Sequence, residues 1–241
     1  MQSIGAYFQC YKNPRATYET LKSFRNYYPN NTVVLVSDNG YDYTNMAKYF
    51  NCIYIHDKEN ISLIYKDTCS DTFRIEKVNK LINRIHNAIN LCIEDYIIIL
   101  EDDVKFNNNI NDTFKYELNG YCPNSFQKRC INELSKTYTN LDTNKIYNFT
   151  GHGGSVYHKN SLIECLENKT IIDNILLNWK NYYFDELVYD LFFSLLIILN
   201  NYNIGPYNGH HDSSGAIIQH QYKVWYNQDM PQELKYLVSI D

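Results

Sequence analysis

The sequence predicts an α/β fold: a mostly parallel central sheet flanked by helices. Three observations carry this. Within the first 56 residues, short β-branched and aromatic runs alternate with amphipathic runs, in the order strand, helix, strand, helix, strand. Such alternation calls for right-handed crossovers, and crossovers make neighbouring strands parallel. Residues 72–92 place apolar side chains at 75, 78, 81, 82, 85, 89 and 92, which is helical spacing. Residues 96–100, Tyr-Ile-Ile-Ile-Leu, are too few for a helix and read as a strand buried on both faces.

The elements follow in order. Residues 4–9 make the first strand. Asn13 then stands as N-cap before Pro14 at the first helical position. That helix puts Tyr18, Leu21, Phe24 and Tyr28 on one face, and Pro29 stops it. Residues 33–36 form a second strand ending in Ser37-Asp38-Asn39-Gly40. A short helix over 43–50 and a third strand over 52–55 complete the alternation. A polar stretch, 56–71, leads into the helix 72–92 and the fourth strand, 96–100. Residues 105–144 show weak patterning, with one helix near 126–136. A strand over 146–150 precedes the glycine-rich Gly151-His152-Gly153-Gly154-Ser155. A helix capped by Asn160 runs to 166, and a long buried helix covers 185–200. No repeat or linker-like break appears, so 1–241 reads as one domain, with a ligand-binding half to about 104 and a second half from about 105 to 241.

Composition narrows the function. At 44% hydrophobic and 15% aromatic the chain is not disordered. A net charge of −5 excludes a general nucleic-acid binder. The 24 tyrosines are better explained by an AT-rich coding sequence than by sugar binding. Seven cysteines without a Cys-x-x-Cys pair predict reduced thiols, not a disulfide scaffold or a zinc site. The most apolar run, 191–199, is about half of what a bilayer needs, so no membrane span is expected. No basic segment follows Met1, and a cytoplasmic location is expected.

Glu101-Asp102-Asp103 follows the fourth strand directly. Ionised carboxylates are costly to bury unpaired, so they must emerge where the strand ends. In an open α/β sheet, ligands bind at that edge. Adjacent carboxylates there suit a hard divalent cation, which in turn suits an anionic substrate such as a diphosphate. The plain alternative is a solvated acidic turn. Asp103, the last carboxylate, is the expected metal ligand, with Asp102 reaching a ribose hydroxyl or a metal-bound water. Asp38 places another carboxylate at a strand end, and Gln9, the last residue of the first strand, is a further ligand-binding candidate. Lys77, Lys80 and Arg84 share one helix side; Lys77 and Arg84 are candidates for a diphosphate contact, against an ordinary solvated face. Gly153 and Gly154 allow close backbone approach to a ligand. Neither a Rossmann fingerprint nor a Walker loop is present.

The apolar strand ending in Glu101-Asp102-Asp103, after a strand–helix–strand half, resembles the acidic "DxD" motif of GT-A glycosyltransferases. Ser37-Asp38 resembles that family's nucleotide contact, Gly153-Gly154-Ser155 its acceptor-side segment, Asp185-Glu186 the site of the base in inverting members, and a late histidine its C-terminal metal ligand. For the base the resemblance implies, Asp185 stands narrowly ahead of Glu186, against simple first-turn acidic residues of a helix. For the metal ligand it implies, His210, His211 and His220 compete; His220 ranks first because it follows a strand-like run, and His211 second. The resemblance implies a GT-A-like domain using Mn²⁺ or Mg²⁺ and a nucleotide-sugar donor, UDP-glucose or UDP-galactose first. It implies a hydroxyl acceptor on a glycan or glycoprotein; a homodimer is compatible with it. Two rivals stand beside it. One is a nucleotidyltransferase that makes an activated sugar, against which the glycine-free Gln9-Cys10-Tyr11-Lys12-Asn13 counts. The other is a catalytically silent sugar- or nucleotide-binding protein.

Overall fold

The structure is a computed structural model that describes residues 2–61, 71–182, 188–207 and 209–239. In chain order the elements are β1 (Ile4–Cys10), α1 (Pro14–Tyr27), β2 (Val33–Asp38), α2 (Thr44–Tyr49), β3 (Ile53–Asp57), α3 (Asp71–Ile89), β4 (Tyr96–Leu100), β5 (Lys105–Phe106), β6 (Leu118–Gly120), β7 (Asn124–Ser125), α4 (Lys128–Ser135), β8 (Asn148–Phe149), β9 (Val156–His158), α5 (Lys159–Glu167), α6 (Lys169–Leu177), α7 (Tyr189–Leu199), β10 (Ile204–Pro206), β11 (His210–His211) and β12 (Ile218–Gln219). The expected mixed α/β architecture is present. Among the described residues no helix is long and apolar enough to cross a membrane, and the described cysteines are free.

The chain divides into two compact units. The first comprises residues 1–60, 87–113 and 208–241. Its sheet has the order β4-β1-β2-β3, with every pairing parallel. Strands β1 and β2 are buried almost throughout, as their apolar runs require. Helix α1 buries Leu21 and Phe24 fully. Near its end Arg25 donates to the carbonyls of Phe50 (2.7 Å), Asn31 (2.6 Å) and Asn51 (2.8 Å), so one guanidinium ties the loop after α1 to the loop after α2. The chain runs outward from β1 to β3 and returns to β4 on the other side of β1. The order therefore reverses between β1 and β4, and that reversal opens a crevice at their C-terminal ends. Phe8 pairs with Leu100 there, so Gln9 and Glu101 leave the sheet side by side.

Gly40 sits just beyond β2 at the same edge. A Cβ on it would meet the Tyr11 carbonyl oxygen at 2.0 Å, and Tyr41 N donates to that oxygen at 3.2 Å. The loops after β1 and β2 close on each other because this residue has no side chain. Gly40→Ala is expected to cost about 1–3 kcal/mol, which lowers the melting temperature by about 2–10 °C in a chain of this size. An unchanged melting temperature would show that the loops part without cost.

The second unit comprises 61–86 and 114–207. Here β6 pairs antiparallel with β9 and parallel with β10. Strands β7 and β8 make a separate antiparallel ribbon. Residues Phe192 to Leu199 of α7 are all buried. The long helix expected over 185–200 begins at Tyr189, because Val188 is extended (φ −120, ψ 149) and occupies the cap position. Asn160 does not cap α5: that helix starts at Lys159 with His158 at the cap. Helix α6 was not foreseen, although Ile172, Ile175 and Leu176 are spaced to bury one side.

Candidate active site

The acidic run lies at the crevice end of β4, in the first unit. Val104 N donates to Glu101 O at 3.1 Å and closes a turn. Thr20 of α1 holds this turn from below, its hydroxyl donating to Val104 O at 2.9 Å. Asp103 is 6% exposed. Directly after the turn, β5 pairs antiparallel with β12, matching Lys105 with Gln219. Tyr222 N donates to Asp103 O at 2.8 Å. These contacts carry His220 across more than a hundred residues of sequence to the turn. Its Nε2 lies 3.3 Å from Glu101 Oε2 and 3.6 Å from Asp103 Oδ1.

The ligand atoms of Glu101, Asp103 and His220 lie within 4.8 Å of one another. Asp103 Oδ1 is buried and has no hydrogen-bond partner among the described residues; the 3.6 Å to His220 is too long to be one. Burial pushes the Asp103 carboxyl up to about 6, opposed by the His220 charge, reinforced by Glu101 and Asp102, and opposed again by Lys223. Two oxygens and one imidazole suit Mn²⁺ or Mg²⁺ better than a thiolate-seeking metal. Donors about 2.1 Å from one small cation sit about 3.0 Å apart when cis and about 4.2 Å when trans. The two distances from His220 fall in that interval, so these residues fit such a cation.

Asp102 does not join them. Its Oδ2 accepts from Asn13 Nδ2 at 2.7 Å and its Oδ1 from the Tyr226 hydroxyl. Burial raises the Asp102 carboxyl, and these two hydrogen bonds oppose the rise. Asn13 stands at the N-cap of α1 ahead of Pro14, as expected, and its carbonyl accepts from Thr17 N at 2.9 Å; its side chain makes no capping bond and its amide donates to Asp102 instead. At the neighbouring strand ends Gln9 Nε2 donates to Asp38 Oδ2 at 3.3 Å, and Asp38 is buried. Asn13, Tyr41, Trp225 and Lys235 help line a cavity of about 440 Å³ at this edge.

The other expected residues fall as follows. His211 is exposed, and its Nδ1 accepts from Ser213 N at 2.9 Å. His210 is buried with its ring 6.0 Å from that of His220. In the second unit, Gly153 and Gly154 are buried, Gly154 has φ +80, and its carbonyl accepts from the Tyr207 hydroxyl at 3.0 Å. His152 packs against the rings of Tyr189 and Phe193, its ring nitrogen is 3.1 Å from the Tyr157 hydroxyl, and its backbone N donates to Asp190. Lys77 and Arg84 also belong to this unit, Arg84 buried. Asp185 and Glu186 lie outside the described residues. The sequence reading left Glu101 without a role and passed over Lys223. The signal for Glu101 is the one it shares with Asp102 and Asp103, a carboxylate at the end of a buried strand; the turn closed by Val104 N is what separates their roles. Lys223 stands three positions beyond the favoured histidine.

No family model matches the chain, and no curated protein sequence matches it. Solved structures do. The chain is similar to the galactosyltransferase LgtC, in complex with donor and acceptor sugar analogues, with a TM-score of 0.51, 12% identity, and coverage of 97% of this chain and 99% of that one. It is similar to core-mannan synthase A (CmsA/Ktr4) from Aspergillus fumigatus, in its Mn/GDP form, with a TM-score of 0.52, 12% identity, and coverage of 86% and 73%. The fold is the GT-A fold of these two glycosyltransferases.

Proposed function

We propose that the chain is a metal-dependent glycosyltransferase that moves a sugar from a UDP-sugar, glucose or galactose, to a hydroxyl on a glycan or protein. The observation that carries this reading is Asp103 Oδ1, a buried carboxylate oxygen without a hydrogen-bond partner among the described residues, beside Glu101 and His220. A buried anion in that setting calls for a cation. The fold adds support, since the core-mannan synthase structure is a Mn/GDP form.

In this reading Glu101, Asp103 and His220 hold Mn²⁺ or Mg²⁺. When bound, the ion neutralises charge that develops on the departing diphosphate. Lys223, near enough to lower the Asp103 carboxyl, supplies a second positive charge. Gln9 and Asp38 hold the nucleoside, and the cavity lined by Tyr41 and Trp225 gives it room. Asp185, ahead of Glu186, takes the acceptor proton if the reaction inverts configuration. Gly153 and Gly154 admit the sugar, and Lys77 and Arg84 remain candidates for the diphosphate.

The first test is thermal. UDP with Mn²⁺ at about 100 times Kd stabilises by about 2.7 kcal/mol, a rise of about 5–10 °C here, and EDTA removes it. Release of UDP from UDP-glucose or UDP-galactose then separates an enzyme from a silent binder. No shift at millimolar UDP and Mn²⁺ would sink the reading. Pyrophosphate-dependent conversion of a UDP-sugar to UTP and the sugar 1-phosphate, without transfer to water or acceptor, would favour the nucleotidyltransferase instead.

A further inference from the structure

We infer that Asp102 and Tyr226 are positioning residues: their hydrogen bond ties the C-terminal segment that carries His220 and Lys223 to the turn that carries Glu101 and Asp103. Both oxygens of Asp102 are engaged by the protein, Oδ1 by the Tyr226 hydroxyl and Oδ2 by Asn13. A hydroxyl or amide donating to an ionised carboxylate makes a stronger bond than a neutral pair does. Asn13, at the N-cap position of α1, gives its side chain to this bond and makes no side-chain bond to the helix.

Up to Tyr222, whose N donates to Asp103 O at 2.8 Å, the backbone holds the segment on the turn; beyond Tyr222 the segment is anchored by side chains. The 3-10 turn Lys223–Trp225 buries no residue. Gln221 and Asn227 on either side have positive φ, 62 and 56, which is unfavourable for residues with a Cβ. One end is fixed where Gln219 pairs with Lys105. The other is fixed by Tyr226 on Asp102, with the Arg15 guanidinium 4.8 Å from the Trp225 ring centre beside it. His220 lies between Gln219 and Tyr222, and Lys223 between Tyr222 and Tyr226, so the Tyr226 anchor holds Lys223 directly and keeps the Tyr222 contact beside His220 from opening. The middle residue of the acidic run thus acts through the histidine, without touching donor or metal.

This inference rests on the proposed function in its metal arm only. Two readouts test it on the full chain: amide hydrogen exchange over 220–226 without ligand, and titration with Mn²⁺ alone. In Tyr226→Phe, exchange over 220–226 should rise about tenfold while 33–38 stays protected, and Mn²⁺ affinity should fall by about tenfold. Asp102→Ala should do the same, and the double variant should be no worse than the worse single, because one interaction is removed once. Asp102→Asn keeps an oxygen for the Tyr226 hydroxyl and should retain most of the affinity. Wild-type exchange in Tyr226→Phe overturns the inference. So does loss of Mn²⁺ affinity in Asp102→Ala with none in Tyr226→Phe, which would make Asp102 a direct ligand. If the wild type binds no Mn²⁺, the metal reading falls, and the exchange arm still decides the tether.

Discussion

Asp103→Asn should abolish Mn²⁺-dependent release of UDP from a UDP-sugar, by about a thousandfold or more, and yet melt at a higher temperature than the wild type in EDTA at pH 7.5. Both effects come from one property, a charge placed where water does not reach it. Burial holds the folded carboxyl at about 6, above its ordinary value of 3.8. The folded state therefore keeps this proton more tightly than the unfolded state does. The stability this contributes is fully present below the unfolded value and is lost as pH rises through about 6. Above that, the metal-free protein carries a buried anion at a cost of up to about 3 kcal/mol. Asparagine has the same shape without the charge. In EDTA the variant should gain several degrees at pH 7.5 and nothing near pH 3. Saturating Mn²⁺ with UDP should reverse the order, because only the wild type binds it. Wild-type turnover in the variant would remove Asp103 from the metal site. Equal melting in EDTA at pH 7.5 would remove the burial argument.

What was legible in the sequence divides along a physical line. Local patterns were legible. Pro14 marks the start of α1, the periodic apolar residues of 72–92 become α3, and the run 96–100 becomes β4. The rule that a buried strand expels its carboxylates placed the acidic run at the right edge. It did not say which carboxylate turns which way. That depends on one turn, closed by Val104 N on Glu101 O, which sets Glu101 beside Asp103 and turns Asp102 toward Asn13. The histidines show the same limit. His211 and His220 are both near strands of two residues, too short to leave a periodic signal. Only the register of β12 on β5, Gln219 with Lys105, brings His220 to the turn and leaves His211 outside. Asn13 reads as a cap by type and position, and a partner 89 positions away takes its amide.

His220→Ala tests that long-range register most sharply, because it predicts a loss and a shift together. Removing one of three ligands should weaken Mn²⁺ binding by about a hundredfold, beyond the ten- to hundredfold range typical of groups that only orient a ligand. The shift concerns pH. Mn²⁺ needs Asp103 deprotonated, so affinity falls as pH drops through the carboxyl's value, about 6 in the wild type. The groups acting on Asp103 are Glu101 and Asp102, which raise that value, and His220 and Lys223, which lower it. Without His220 the largest opposing charge is gone, and the midpoint should move above 6. Titrations with Mn²⁺ alone from pH 5 to 8 would show both effects in one series. Glu101→Gln removes a neighbouring negative charge and should move the midpoint the other way, below 6, while also weakening binding. Opposite shifts from two ligand losses are not expected of general unfolding. If both variants moved the midpoint in the same direction, the contacts of 3.3 Å and 3.6 Å around His220 would not govern the charge at this site.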